Sequence, residues 1–112
     1  MTSEELYNQH LKLLQEKAAD KIVELDYHDD ATMLILTGDE PKAIHGKQAI
    51  KELFHGYLEY VYHGFISTEK VVLYDDSIFL EATIDTSKGH LQVYDAMYLK
   101  DGKIYRHFTG LK

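Results

Sequence analysis

Read in steps of two, the stretch Leu91-Gln92-Val93-Tyr94-Asp95-Ala96-Met97-Tyr98-Leu99 separates into two faces. Leu91, Val93, Met97 and Leu99 make the odd face apolar, with Asp95 at its centre. Gln92, Tyr94, Ala96 and Tyr98 make the even face. Alternation of this kind marks a strand with one side in the core. The same period runs through Ile78, Leu80, Ala82 and Ile84 on the strand before it. The expected strands in this half are Phe65–Tyr74, Ser77–Thr86, His90–Lys100 and Lys103–Leu111. Their connections are tight: Asp75-Asp76, Ser87-Lys88-Gly89 and Asp101-Gly102, the last a strong hairpin signal. On the final strand the faces are less distinct. Ile104, Arg106 and Phe108 alternate with Tyr105, His107 and Thr109, so the pattern leaves open whether Arg106 or His107 points inward.

The first half has helical periods. Leu6, Tyr7, His10, Leu11, Leu14 and Ala18 recur at three- and four-residue steps, with Leu13 beside them, behind a helix start at Ser3-Glu4-Glu5. Asp20 suits the cap of a shorter helix through Ile22, Val23 and Leu25. Tyr27-His28-Asp29-Asp30 reads as a polar break, and Ala31–Thr37 as a buried strand. Gly38-Asp39-Glu40-Pro41 is a turn by composition, and Lys42–His45 a short extended piece. A helix opened by Gly46 carries Ile50, Leu53, Phe54, Tyr57, Leu58 and Val61 to a stop near His63-Gly64. Helices followed by an antiparallel meander define an α+β chain. A strongly twisted sheet wrapped around those helices makes a cone-shaped roll with an internal pocket.

Composition narrows the chemistry. With 112 residues, the expectation is a single domain over 1–112 with a real core. There is no cysteine, hence no disulfide, thiolate metal site or cysteine nucleophile. The formal charge is -7 and Arg106 is the only arginine. A basic face for nucleic acid is therefore not expected, nor an arginine cluster for phosphate or carboxylate. No apolar run is long enough to span a bilayer, and the acidic Met1–Glu5 is not a signal peptide, so a cytoplasmic protein without membrane partners is expected.

Asp95 is the residue that the pattern leaves unexplained. A carboxylate among core side chains needs a partner, a hydrogen bond or a proton. It is either a structural acceptor or an acid or base on a cavity wall. Desolvation predicts a pKa above the reference of ~3.9. His10, inside an apolar helix stripe, is either a satisfied core residue or a group facing the same cavity. Asp95, His10 and His107 form the candidate catalytic set, since an imidazole beside a carboxylate suits proton transfer at a carbonyl or enol. Tyr57, Phe54, Met97 and Ile35 are the candidate ligand-binding residues. Tyr57 has packing with a tied hydroxyl as its plain alternative. Residue type would let His10, His107 and Asp95 hold a metal, but no tight spacing supports it, and neither metal nor cofactor is expected. The aromatic even face with Tyr94 and Tyr98 would be exposed in a monomer, which suggests an interface.

Ile22-Val23-Glu24-Leu25 through Asp29-Asp30-Ala31-Thr32, the helix start Gly46-Lys47-Gln48-Ala49-Ile50, and Asp101-Gly102-Lys103-Ile104 resemble the nuclear transport factor 2-like superfamily. The nearest branch is the SnoaL-like and ketosteroid-isomerase-like group. The resemblance spans nearly the whole chain. It implies the cone fold, a pocket for a small apolar molecule, and sheet-to-sheet homodimers. It also implies isomerase, cyclase or lyase activity, or a non-catalytic binding or association role. In the steroid isomerases, an aspartate matching Asp95 donates a hydrogen bond from its neutral form to an oxyanion. Their first-helix tyrosine falls near His10, and their proton-shuttling aspartate falls at Ile35. The steroid reaction is thus expected to be absent or very low. The family's epoxide hydrolases use an aspartate–arginine–aspartate set. Here Asp95 and Arg106 are available without a second carboxylate after Asp101. The scytalone dehydratase branch uses tyrosines, histidines and an aspartate, residue types that this chain has in number.

Overall fold

The computed structural model describes Met1–Lys112. Three helices, α1 (Ser3–Gln15), α2 (Ala19–Asp26) and α3 (Lys47–Tyr60), pack on one face of a six-stranded mixed sheet that does not close. The strands are β1 (Tyr27–Ile35), β2 (Lys42–His45), β3 (Tyr62–Tyr74), β4 (Ser77–Thr86), β5 (Gly89–Lys100) and β6 (Lys103–Leu111). Their spatial order is β2-β1-β6-β5-β4-β3, antiparallel throughout except for the parallel pair β1–β6. The expected α+β cone is the observed architecture.

Leu6, Leu13 and Leu14 of α1, Ile22 and Val23 of α2, and Ile50, Phe54 and Leu58 of α3 bury their stripe against the sheet. Ile78 and Ile84 of β4 and Met97 and Leu99 of β5 meet them there. β4 alternates strictly between buried and half-exposed residues, as its period of two requires. The odd side of β5 faces inward, with Met97 and Leu99 buried. The Asp101-Gly102 hairpin holds both residues at positive φ, 55° and 74°, the geometry that a two-residue turn demands.

Several local readings change: α3 ends at Tyr60 and β3 begins at Tyr62, so His63-Gly64 lies in the strand rather than at a helix stop. α1 starts at Ser3 as expected, and Thr2 before it is the cap: its hydroxyl accepts from the Glu5 amide at 3.1 Å while the Glu5 carboxylate accepts from the Thr2 amide at 2.8 Å. This reciprocal box satisfies two orphan helix donors together. Asp20 lies inside the first turn of α2, whose cap position is Ala18, and pairs with His55 at 2.7 Å. The polar-looking Tyr27–Asp30 is no break. It is the start of β1, and the strand ends at Ile35 rather than Thr37.

The sheet is offset at two places near its middle. Tyr98 pairs with Arg106, but the next residue, Leu99, pairs with Ile104, so Tyr105 is an extra residue in β6. This bulge resets the alternation. Ile104 and His107, three apart, are both buried, while Arg106 turns outward onto the Tyr105 ring, 4.1 Å from its centroid. In the parallel pair, Tyr27 lies opposite Ile104 and Thr32 opposite Arg106, so β1 spends more residues than β6 over the same span.

Candidate functional site: an apolar cavity with two histidine–aspartate pairs

Between the helices and the sheet lies a cavity of about 240 Å³. Its wall is mainly apolar. Leu11 and Leu14 come from α1, Leu53 and Phe54 from α3, Met33 and Ile35 from β1, and Leu91, Val93 and Met97 from β5. The polar atoms come from His10, Tyr57, Asp95, His107 and Thr109, with Thr37, Thr86 and the Tyr62 hydroxyl, which is buried without a hydrogen-bond partner. All seven residues singled out from the sequence line this one cavity: Asp95, His10, His107, Tyr57, Phe54, Met97 and Ile35.

Strand register brings the first pair together. Asp95 on β5 is opposite Thr109, and His107 is opposite Met97, so Asp95 and His107 are diagonal neighbours on the inner face. His107 Nε2 and Asp95 Oδ1 are 2.7 Å apart. On its other side His107 Nδ1 is 2.7 Å from the hydroxyl of Tyr27, the first residue of β1. An ionised carboxylate only accepts, so Nε2 carries the proton and Nδ1 receives the Tyr27 O–H. The result is a directed chain, Tyr27 to His107 to Asp95. Tyr27 is fully buried. Burial, then the charges of Asp95 and Asp26, push its phenol well above the ordinary tyrosine range, so it stays a donor.

The second pair is held by helices. His10 Nδ1 on α1 is 2.8 Å from Asp26 Oδ2 at the end of α2, and Gln9 Nε2 donates to Asp26 Oδ1 at 2.6 Å. Asp26 has no exposed surface. It falls on the buried stripe of α2 with Ala19, Ile22 and Val23, a helical i, i+3, i+4, i+7 set. The His10 ring packs edge-on to Tyr27, centroids 6.2 Å apart, so both pairs flank one tyrosine.

The two imidazoles differ in what they have left to offer. His107 has both nitrogens engaged within the chain and serves to hold Asp95. His10 uses only Nδ1; its ring lines the cavity, and its Nε2 makes no hydrogen bond within the chain. Asp95 uses Oδ1 on His107, and its side chain keeps 19% exposure.

The charge state of Asp95 reverses the expectation of a raised pKa. Burial does push its carboxyl up. The His107 hydrogen bond, the Thr109 hydroxyl and the charge that His107 and His10 bring when protonated together outweigh burial and hold it below the ordinary carboxylate value. Asp95 therefore stands as an anion, a base or acceptor rather than the neutral donor that the isomerase resemblance implies. Tyr57 is pushed upward by burial, then by Asp95 and Tyr62, and remains a neutral phenol. It stacks on Tyr62, ring centroids 5.5 Å apart. Arg106 is outside the cavity, on the carbonyls of Tyr105 at 2.9 Å and Asp30 at 3.4 Å, so an aspartate–arginine set with Asp95 does not form.

Sequence reasoning missed Tyr27 and Asp26. The signal for Asp26 was present in the α2 period. Tyr27 carried none, because the three polar residues after it masked the strand.

No family model matches the sequence, and no curated protein matches it. Solved structures do. An NTF2-like protein of unknown function from Mesorhizobium loti superposes with a TM-score of 0.84 at 15% identity, covering 98% of this chain and 90% of that one. A Bacillus subtilis protein provisionally named an isomerase gives 0.78 at 19% identity, over 98% and 86%. An epoxide hydrolase/cyclase-like enzyme of pyran ring formation in the polyether salinomycin gives 0.78 at 16% identity, over 98% and 90%. The fold is that of the nuclear transport factor 2-like proteins. At these identities the likeness is one of fold, and function has to be argued from the site.

Proposed function

We propose that this is a SnoaL-like protein that binds a small apolar molecule in the cavity and moves a proton on it, as an isomerase, cyclase or lyase does. The observation that carries this reading is the Asp95 carboxylate, kept ionised on an apolar wall by a dedicated Tyr27–His107 chain. Maintaining a buried anion costs free energy, and a purely apolar binding pocket has no need of one. Asp95 takes a proton from the carbon next to a carbonyl. The electron pair moves to the carbonyl oxygen, where the Tyr57 hydroxyl donates to it. The proton returns at another carbon, or the enolate carbon adds to a second carbonyl of the same ligand and closes a ring, with that carbonyl's oxygen taking the electron pair and the proton held on Asp95. His10 Nε2 is the second group in reach of such a ligand, and His107 positions Asp95. Relatives of this fold named as isomerase and cyclase-like support the reading. Ile35 stands as apolar wall where the steroid isomerases keep their proton shuttle, so turnover of a 5-ene-3-ketosteroid is expected to be absent or very low.

The test is carbon-acid exchange. Small cyclic ketones that bind, found by native mass spectrometry, are incubated with protein in heavy water. Deuterium should enter next to the carbonyl at a rate that falls about 100-fold or more in Asp95→Asn, the usual size of an acid–base contribution. Binding with exchange no faster than in buffer would establish the alternative, a non-catalytic ligand-binding or association module.

The outer sheet face supports a homodimer as part of this proposal. Val72, Tyr74, Phe79, Ala96, Tyr98 and Phe108 form a shallow apolar groove there. Tyr98 is 46% exposed, and Tyr94 lies on the same face across Gly110.

A further inference from the structure

The cavity has a donor and acceptor polarity that two carboxylates set from behind. Asp26 is completely buried and only accepts, so a neutral His10 must carry its proton on Nδ1. Its Nε2, unpartnered on a ring that lines the cavity, then offers a lone pair. Asp95 likewise accepts the His107 Nε2–H hydrogen bond on Oδ1 and, with the Thr109 hydroxyl beside it, keeps further acceptor capacity on its carboxylate. The cavity lining contains neither lysine nor arginine.

From this we infer that the ligand is an uncharged, compact molecule that brings its own hydroxyl hydrogen, a hydroxy-ketone of about one ring, and that Asp26 with Gln9 acts as the positioning pair that makes His10 an acceptor. The inference rests on the cavity being the ligand site and deepens that reading. A cavity of about 240 Å³ matches roughly eight waters of liquid volume at ~30 Å³ each, which suits one ring and not a fused polycycle. A carboxylate or phosphate ligand would meet Asp95 with no cation to offset it. A hydroxyl satisfies His10 Nε2 or Asp95, and the carbonyl takes the Tyr57 hydroxyl. A methyl ether of the same shape leaves an acceptor unpaired and out of water, which costs affinity.

Asp26→Asn is the sharp variant. An asparagine here accepts from Gln9 through Oδ1 and donates to His10 Nδ1 through Nδ2. The His10 proton must then move to Nε2, and the cavity gains a donor in place of an acceptor. The probes are 2-hydroxycyclohexanone, 2-methoxycyclohexanone and cyclohexanecarboxylate, titrated into isotopically labelled protein at about pH 8.5, where the imidazole side chain is ordinarily neutral. Nitrogen shifts of His10 report the tautomer, and amide shifts report binding. The wild type should show Nδ1–H, bind the hydroxy-ketone about tenfold or more tighter than the ether, and show no saturable binding of the carboxylate. Asp26→Asn should show Nε2–H and a preference narrowed or reversed toward the ether. An Nε2–H wild type, an ether that binds as well as the alcohol, or saturable binding of the carboxylate overturns the inference. Failure of all three probes to bind overturns it too. If Asp26→Asn does not fold, the wild-type tautomer and probe ranking decide alone. Loss of carbon-acid exchange with the ranking intact would remove the catalytic reading and leave this one standing.

Discussion

Asp95 is held as an anion by partners, and that has a sign. A carboxyl with a folded-state pKa below its unfolded value contributes stability that is present above the unfolded pKa. That stability is lost as pH falls through the folded one. Carbon NMR should place the Asp95 titration below the ordinary 3.8, and the acid limb of the melting-temperature profile should flatten in Asp95→Asn. A midpoint above 3.8 would contradict the network. Tyr27→Phe keeps the ring against Phe54 and removes only the hydroxyl, leaving His107 Nδ1 buried without its donor. A loss of ~1–3 kcal/mol in denaturant unfolding is expected, the cost of one orphaned buried acceptor. Residues were unevenly legible. Asp95 declared itself as a charge in an apolar register, and His10 as a histidine in an apolar stripe. Whether a buried carboxyl is raised or lowered depends on neighbours 12 residues away on another strand, which a pattern does not contain.

At the scale of elements, the hairpins and helix stripes followed from periodicity, and β4 and β6 have the bounds that the pattern predicts. The inward choice between Arg106 and His107 did not follow, because one extra residue inverts the parity of a strand. Gly110 shows a second device of the same strand. A Cβ built there would sit 2.6 Å from the Tyr94 hydroxyl, its cross-strand neighbour. Gly110→Ala should therefore displace the Tyr94 ring and cost ~1–3 kcal/mol, the range for an overpacked site. Tyr94→Ala combined with Gly110→Ala should recover part of that loss in the same unfolding measurement.

For the whole molecule, the outer groove gives the assembly prediction. Replacing both Tyr94 and Tyr98 with aspartate places two charges on the proposed apolar interface. Light scattering should then find half the wild-type mass, and an unchanged mass would reject this face. A different consequence comes from the one parallel pair in the sheet. The β3–β6 meander is built from neighbours in sequence, but β1 joins it only through partners such as Tyr27 and His107, 80 residues apart. Contacts of such separation are slow to form. The Tyr27–His107–Asp95 chain spans that seam, so the polar end of the cavity exists only after the chain's two ends have met. A cavity ligand thus has nothing to hold in a transition state that lacks the seam. In stopped-flow experiments it should slow unfolding and leave the folding rate where it was.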